Sequence, residues 1–271
     1  MRAPPRTWAD WTAALERVQR AGVPGRTGVL VPLREWQLPV VLALQRGAML
    51  LRDDDTRGNF ASAGVRDAFT FYVDLFRRGF ARRDADTQLT NVYQDFAAGR
   101  FVFYVTGPWN LEEFQRRLPA TLAGAWAVSP MPGPDARQPG VSLAGGASLA
   151  VSRGTAHPDL AWALVRHLTE PAMLCRLQAL AGSLPARRSV FASCPLAPPA
   201  DAFRIPLQTQ LANVRATPKI PEWERIATRI AHHLELVVRG DRTLDEALAA
   251  LDRDADQILE KRRWLREHEA G

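Results

Sequence analysis

The sequence predicts an α/β protein in which helices cover small sheets. Two observations predict this class. Segments with apolar residues at helical spacing alternate with short β-type segments along the whole 271-residue chain. Glycine, proline and helix-capping residues stand at the expected ends of these segments. The sequence contains no internal repeat.

The first half of the chain opens with its clearest helix signal. Thr7 followed by Asp10 is a capping-box pattern, which predicts a helix over 8–20 that Gly22 ends. Ser62 is expected to cap a second strong helix over 63–78, whose apolar residues form one stripe. The other predicted elements are a strand at 29–33, a helix at 36–46, a strand and turn over 50–59, a helix at 89–98, a strand at 101–105 and a helix beginning at Pro108.

Proline and glycine punctuate the second half. A Pro- and Gly-rich loop over 130–140 is the clearest linker signal in the chain. Thr243 with Glu246 forms another capping-box pattern near the end. The predicted elements are strands at 126–128 and 148–152, helices at 158–168 and 170–181, a Pro-rich break at 194–199, and helices at 201–213, 221–238 and 243–266.

Composition excludes several classes of protein. No uncharged apolar run is long enough to span a bilayer. The net charge is +6, but arginine supplies nearly all of the positive charge, since Lys219 and Lys261 are the only lysines. The arginines are scattered among acidic residues on helices and do not form a block with aromatics, so we expect no nucleic-acid partner. Cys175 and Cys194 are compatible with a disulfide or with two buried thiols.

Signals for catalysis, metal binding or a cofactor are weak. The chain has no Gly-x-Ser-x-Gly motif, and 144–148 lacks the lysine of a phosphate-binding loop. The three acids 53–55 lie on a predicted turn and are interpreted as solvated, with a cation site as the alternative. His232 and His233 are neighbours, so one side of a helix cannot present both to a metal. We therefore expect no metal and no cofactor.

Aromatic residues at element boundaries are the better candidates for ligand binding. Trp36 and Trp109 lie at predicted helix starts and outside the helical apolar stripes. An indole at such a place covers the apolar face of a sugar ring, although packing between domains is the alternative. Gly145-Gly146 permits either a domain crossing or close approach to a ligand. Arg187, on a loop, and Glu35, beside Trp36, are polar candidates that could equally be solvated.

Several segments together resemble the solute-binding proteins of ABC importers, in the type 1 family that includes maltose and trehalose binders. The similar segments follow one another in family order and cover nearly the whole chain. They are Pro4–Trp8, Phe96–Trp109 with its Gly-Pro-Trp, Leu143–Gly146, the helix at 158–168, Leu184–Arg187 and Thr243–Leu248.

The resemblance implies a periplasmic binding protein-like fold, in which two α/β lobes close like a hinged clamp. It implies a nearly complete C-lobe made of 1–143 and 192–271, with 144–191 as the remaining part of a largely missing N-lobe. The implied ligand contacts are stacking by Trp36 and Trp109, backbone approach at Gly145 and Gly146, hydrogen bonding by Arg187, and a further aromatic, Trp223.

The same resemblance implies a monomeric periplasmic subunit that binds a carbohydrate and delivers it to ABC permease subunits without catalysis. We interpret this chain as N-terminally truncated and without a signal peptide, and we expect it to bind sugar poorly on its own. The alternatives are a binder of glycerol-phosphate or another polyol-like solute, a cytoplasmic interaction module derived from such a lobe, and an enzyme such as a sugar hydrolase.

Overall fold

A computed structural model describes residues 3–83, 91–138, 140–182, 184–194 and 200–269. In chain order the helices are α1 (Trp8–Arg20), α2 (Gln37–Gln45), α3 (Ala63–Arg77), α4 (Val92–Ala97), α5 (Trp109–Arg117), α6 (Pro158–Leu168), α7 (Pro171–Ala181), α8 (Arg188–Ser193), α9 (Ala200–Leu211), α10 (Trp223–Arg239), α11 (Leu244–Ile258) and α12 (Glu260–Glu269). The strands are β1 (Thr27–Leu30), β2 (Leu51–Arg52), β3 (Arg57–Gly58), β4 (Phe101–Tyr104), β5 (Ser142–Leu143) and β6 (Val214–Arg215).

The chain divides into two compact units. The first contains Met1–Val105, Pro130–Ala144 and Gln210–Gly271, and the second contains Thr106–Ser129 and Gly145–Thr209. This division differs from the predicted lobe boundaries, because 106–129 and 192–209 group with the second unit. The assignment of the two units to a C-lobe and an N-lobe stays a prediction.

Short parallel pairs and helices build the first unit. β1 pairs in parallel with β4, with Val29 opposite Phe103, and β5 pairs in parallel with β6. Helices α10 and α11 pack against α3 around fully buried side chains. The α/β class and the amphipathic character of these helices are thereby confirmed. Large members of this core include Trp11, Phe69, Tyr72, Ile230, Leu234 and Leu248.

The capping boxes position α1 and α11 as the sequence predicts. The Thr7 hydroxyl accepts from the Asp10 N–H at 3.0 Å, and the Asp10 carboxylate accepts from the Thr7 N–H at 3.0 Å. Hydrogen bonds to the Asp10 carboxylate, first from Thr7 and then from the Arg6 N–H, lower the pKa of Asp10 because they favour its ionised form. Thr243 and Glu246 form the equivalent pair at α11.

The loop at 130–140 is held in place and is not a free linker. Gln210 accepts from the Met131 N–H at 2.7 Å and donates to the Gly140 carbonyl at 2.9 Å. Gly133 donates to the Arg6 carbonyl at 2.9 Å and accepts from the N–H of Trp8, the first residue of α1, at 2.7 Å. One side-chain amide and a short ladder thus fix a segment that composition alone assigns to a linker.

Two carboxylates on α11 hold the hairpin formed by β2 and β3. Asp252 accepts from the N–H groups of Phe60 and Ala61 at 2.6 and 3.1 Å. Asp256 accepts from the Gly58 N–H at 2.9 Å. Ser62 occupies the N-cap position of α3 as predicted, but its hydroxyl makes no capping hydrogen bond and donates to the Asn59 carbonyl instead. The chain before α3 is therefore fixed from α11 and not by the local cap.

Replacing Asp252 with asparagine is expected to lower the free energy of unfolding by about 1–3 kcal/mol, because a charge-assisted acceptor of two backbone donors is lost. Urea unfolding of both variants measures this. Asp67→Asn is the matched control, since Asp67 is half-exposed and forms an ion pair with Arg46 at the surface of α3. Such pairs contribute about 0–1 kcal/mol. Equal losses in the two variants would contradict the role of Asp252.

A buried histidine joins α10 to α11. Arg242 donates to Nδ1 of His233 at 2.7 Å, and Nε2 lies 2.9 Å from the Asp254 carboxylate. Arginine can only donate, so Nδ1 accepts and the proton sits on Nε2. Asp254 also pairs with Arg229 at 3.0 Å. His233 is therefore neutral and bonded at both ring nitrogens.

Acidification is expected to weaken the fold through His233. Burial lowers the pKa of His233, Arg242 and His232 act in the same direction, and Asp254 opposes them. The neutral ring stabilises the fold fully above the ordinary pKa of 6.5. Below pH 6.5 the unfolded chain binds the proton more readily than the folded chain does. The free energy of unfolding therefore decreases as the pH drops from 6.5 to the lowered pKa of the folded state, by at most about 1.4 kcal/mol per pH unit.

Urea unfolding at two pH values on either side of this window should show a smaller change in the free energy of unfolding for His233→Gln than for the exposed control His232→Gln. An unchanged pH dependence in His233→Gln would show that other groups cause the loss.

An aromatic stack and a disulfide organise the second unit. Phe114 of α5 packs on Trp126 at 5.7 Å between ring centroids, and Trp126 stacks on Phe203 of α9 at 5.1 Å. Cys175 and Cys194 form a disulfide that joins α7 to the end of α8, which answers the pairing left open by the sequence. These contacts are why 106–129 and 192–209 group with 145–191.

Two strand predictions in this region are wrong. Residues 126–128 and 148–152 carry no strand pairing. The indole of Trp126 packs in the aromatic stack with Phe114 and Phe203. At 148–152, the alternating pattern finds no neighbouring strand among the described residues, and an unpaired strand cannot form a ladder.

The helix predictions agree with the structure more closely than the strand predictions do. The helices predicted at 8–20 and 158–168 are confirmed with those bounds. The helix predicted over 243–266 is broken at Leu259, whose side chain is fully buried, so two helices replace one. The start predicted for α4 at 89–90 and the Pro-rich residues 195–199 lie outside the described residues. Within the described ranges, no helix combines the length and the apolar character needed to cross a membrane.

Candidate functional site

Two of the predicted tryptophans meet in the first unit. Trp36 is half-buried directly before α2, and Trp223 begins α10 with 6 % of its surface exposed. The rings pack edge to face with centroids 5.4 Å apart. This geometry is a favourable aromatic arrangement. Trp223 therefore supports Trp36 and does not offer a free ring face of its own.

A cluster of buried polar atoms lies beside Trp223, and no pattern in the sequence indicates it. Glu222 and Arg262 form an ion pair at 3.9 Å. Glu222 Oε2, Trp223 Nε1 and Arg262 Nε are buried and have no hydrogen-bond partner among the described residues. Buried polar atoms normally have partners, so this cluster has capacity for further hydrogen bonds. Glu35 is exposed and lies directly before Trp36 in the chain.

Trp109 is an exposed aromatic residue of the second unit. It begins α5, and 59 % of its surface is accessible. Pro108 precedes the helix, and Asn110 donates to the Thr106 hydroxyl at 2.5 Å, which closes the turn before α5. An exposed indole at a fixed helix start has a free apolar face, the feature that stacking on a sugar ring requires.

Two glycines make room for this tryptophan. A Cβ at residue 107 would lie 2.0 Å from the Trp109 ring. A Cβ at residue 182 would lie 3.1 Å from the Trp109 carbonyl oxygen, and Gly182 has a φ of +65°. A side chain at residue 107 is therefore excluded as long as the indole keeps its place, whereas a side chain at residue 182 is disfavoured by the positive φ and by the nearby Trp109 backbone. Gly107 belongs to the Gly-Pro-Trp motif, whereas nothing local in the sequence indicates Gly182.

The remaining candidates also lie in the second unit. The chain passes from the first unit to the second between Ala144 and Gly145, so the domain-crossing interpretation of Gly145-Gly146 is supported. No atom lies within 4 Å of a Cβ built on either glycine, and Gly146 has a φ of +146°. Arg187 is exposed directly before α8. Ligand contact by these three residues stays a prediction.

The structure thus groups the predicted residues in two sets. Glu35, Trp36 and Trp223 belong to the first unit, where Trp36 contacts Trp223. Trp109, Gly145, Gly146 and Arg187 belong to the second. The acids 53–55 form a turn with positive φ in which Asp53 and Asp54 are exposed and Asp55 is half-buried, and Asp53 pairs with Arg52. In the described ranges no three His, Cys, Asp or Glu side chains are placed to hold a metal ion. Stacking and hydrogen bonding are what these residues offer a ligand.

The sequence profile of bacterial extracellular solute-binding proteins matches residues 1–202 of this chain. No curated protein sequence matches it. Among solved structures, the sugar-binding protein MalE from the phytopathogen Xanthomonas citri is similar, with 38 % identity and a TM-score of 0.88. That match covers 98 % of this chain and 67 % of the Xanthomonas citri chain.

More distant structures share the fold. An ABC transporter solute-binding protein from Thermotoga lettingae, bound with α-D-tagatose, is 24 % identical with a TM-score of 0.78, and the match covers 95 % of this chain and 65 % of that one. The GacH receptor of Streptomyces glaucescens, solved unliganded and with acarbose, is 23 % identical with a TM-score of 0.76 and the same coverage. This chain therefore spans about two thirds of the length of the proteins it matches, and it has the periplasmic binding protein-like fold.

Proposed function

Because the chain belongs to the family of bacterial extracellular solute-binding proteins, we propose that it captures a sugar for an ABC importer. The similarity to a sugar-binding protein over 98 % of this chain carries the proposal. The chain supplies about two thirds of the complete binding protein, and the rest of the N-lobe completes the clamp. Delivery to permease subunits follows capture, and this protein performs no chemistry on the sugar.

The proposed contacts follow from what each side chain offers. The exposed indole of Trp109 covers the apolar C–H face of a sugar ring. Trp36, braced by Trp223, provides a second aromatic surface. Arg187 donates to hydroxyls, Glu35 accepts from them, and the backbone at Gly145 and Gly146 approaches the ligand closely. Closure of the two lobes then excludes water, according to the hinged-clamp scheme that the family resemblance implies.

A periplasmic location is part of the proposal. The disulfide between Cys175 and Cys194 supports it, because such bonds persist in oxidising compartments and are rare in the cytosol. It also weighs against the alternative of a cytoplasmic interaction module. Binding of glycerol-phosphate would need several cationic groups, and Arg187 is the only candidate cation among the predicted site residues.

The test uses a chimera in which this chain replaces the part of the Xanthomonas citri protein that it matches. Thermal unfolding is recorded with maltose, trehalose, α-D-tagatose, acarbose and glycerol 3-phosphate, with the intact Xanthomonas citri protein as a positive control. At least one sugar should raise Tm, since a ligand at 100 times its Kd stabilises by about 2.7 kcal/mol. A folded chimera that responds to no sugar, or to glycerol 3-phosphate alone, would refute sugar capture.

A further inference from the structure

A cavity of about 380 Å³ lies in the first unit, where α10 ends and α11 begins. Its wall combines the last turn of α3, the segment after α3, the end of α10, the connection to α11 and the first turn of α11. None of the residues predicted to contact a sugar lines it. A volume of this size is in the range of small-molecule sites. The cavity is therefore a second candidate site in this protein.

Three arginines from separate segments line this cavity. Arg77 lies in the last turn of α3, Arg83 follows that helix, and Arg242 lies between α10 and α11. Arg77 and Arg83 are exposed, and neither side chain has an ion pair or a hydrogen bond to any residue that the structure describes. A guanidinium group has five N–H donors and no acceptor. Both side chains therefore have all their donors available to an anion.

Arg242 is the fixed member of this group. It is half-buried and donates to Nδ1 of His233 at 2.7 Å. The Asp254 carboxylate holds the other ring nitrogen of His233 at 2.9 Å. One guanidinium N–H of Arg242 is thus used inside the fold, and the others remain for the cavity. The cavity therefore has one positioned cation and two adjustable ones.

The two acids of the wall leave it positively charged. One oxygen of Glu246 accepts from the N–H and the hydroxyl of Thr243 at 2.9 and 2.7 Å, so the capping box occupies this carboxylate. Asp241 is exposed and has no ion pair within the described ranges. The end of α10 and the start of α11 bring opposite dipole ends to the cavity, and these largely cancel. Three guanidinium groups against two carboxylates therefore decide the sign of the charge.

We infer that this cavity binds a compact oxyanion of the phosphate type, either a free phosphate or diphosphate ion or the phosphate group of a small organic molecule. Arginine presents paired N–H donors that match phosphate oxygens, and here arginines from three segments reach one cavity. A neutral sugar needs acceptors as well as donors and would leave the three charges uncompensated. The cavity is thus an anion site separate from the proposed sugar site.

Titration calorimetry of this chain with pyrophosphate, inorganic phosphate and glycerol 3-phosphate at low ionic strength tests the inference. Pyrophosphate should bind, and added sodium chloride should weaken its binding because exposed charges are screened. Arg77→Gln and Arg83→Gln should each raise the Kd at least about fivefold. Arg17→Gln is the matched control, since Arg17 is likewise exposed in the last turn of a helix of the first unit, and it should leave the Kd unchanged.

A second measurement locates the bound anion. Arg242 joins the cavity to His233, so bound pyrophosphate should shift the imidazole nitrogen signals of His233 in NMR spectra. The signals of His268, which is exposed on α12, should stay unchanged. The affinities for inorganic phosphate and glycerol 3-phosphate distinguish the two sources, because the tighter of the two shows whether the site takes the free ion or an organic phosphate.

Three results would overturn the inference. The first is the absence of binding by all three phosphate compounds at low ionic strength. The second is equal weakening by the cavity variants and by Arg17→Gln, because the anion then responds only to the general positive charge of the surface. The third is binding that leaves the His233 signals unchanged, because the anion then lies elsewhere. No sugar is used in these measurements, so failure of sugar capture and failure of this inference are separate results.

Discussion

Replacing Trp109 with alanine in the chimera is expected to weaken sugar binding by about thirtyfold, or about 2 kcal/mol, the loss typical of an aromatic hot spot. The indole is 59 % exposed, so its removal leaves no cavity in a core, and the free energy of unfolding should stay nearly constant. Titration calorimetry gives the Kd, and thermal unfolding without ligand gives the stability.

Trp264→Ala is the matched control for this experiment. Trp264 is 56 % exposed on α12 and stacks on His268, so it is a tryptophan of equal exposure outside the proposed site. Its removal should leave the Kd unchanged. Equal Kd values for Trp109→Ala and the unsubstituted chimera would remove Trp109 from the site and leave sugar capture to the other residues.

Replacing both Cys175 and Cys194 with serine is expected to destabilise the second unit by about 3 kcal/mol, because the disulfide closes a loop with a sequence separation of 19 residues. Cys194 is fully buried, which adds the cost of a buried hydroxyl. Hydrogen exchange measured by region should show faster opening over α7 and α8 and unchanged protection in α10 and α11.

A second experiment distinguishes the loss of the disulfide from other effects of the serine substitutions. Reduction of the unsubstituted chain should accelerate exchange over α7 and α8 in the same way. Arg204 also ties this corner, because it donates to the carbonyls of Ala192 and Cys194 at 2.8 Å. If both treatments left the exchange of α7 and α8 unchanged, these bonds and not the disulfide would hold the corner.

The sequence predicts best where local chemistry decides the structure. Thr7 with Asp10 and Thr243 with Glu246 satisfy helix N-termini within four residues, so α1 and the start of α11 follow from the sequence directly. Ser62 shows the limit of such reasoning. The acceptor that fixes the chain before α3 is Asp252, 190 residues further on, and no local pattern reveals it.

Strands are predicted less well because they need partners. The pattern at 148–152 is that of a strand, but pairing is a property of two segments, and no described segment pairs with it. The strand predicted at 126–128 fails for another reason, since Trp126 is held in a stack with Phe114 and Phe203. Apolar residues at a strand-like spacing can belong to a paired strand or to an aromatic stack outside a sheet.

The candidate site likewise contains one residue that the sequence indicates and others that only the structure reveals. Trp109 could be singled out because Gly-Pro-Trp places it at a helix start, and its exposure supports that choice. Burial separates Trp223 from Trp109, and burial depends on packing between distant segments. Arg262 reaches Glu222 from another helix, so the polar cluster beside Trp223 is visible only in three dimensions.

Titration calorimetry of the chimera and of the isolated chain, with the sugar that gives the largest thermal shift, tests sugar capture most directly. The chimera should bind one sugar per molecule, and the isolated chain should bind it at least about tenfold more weakly, because only the chimera contains the unmatched third of the Xanthomonas citri protein. A folded chimera that releases no heat with any sugar would contradict sugar capture. Equal affinity of the chain and the chimera would show that the third supplied by the Xanthomonas citri protein contributes nothing to sugar binding.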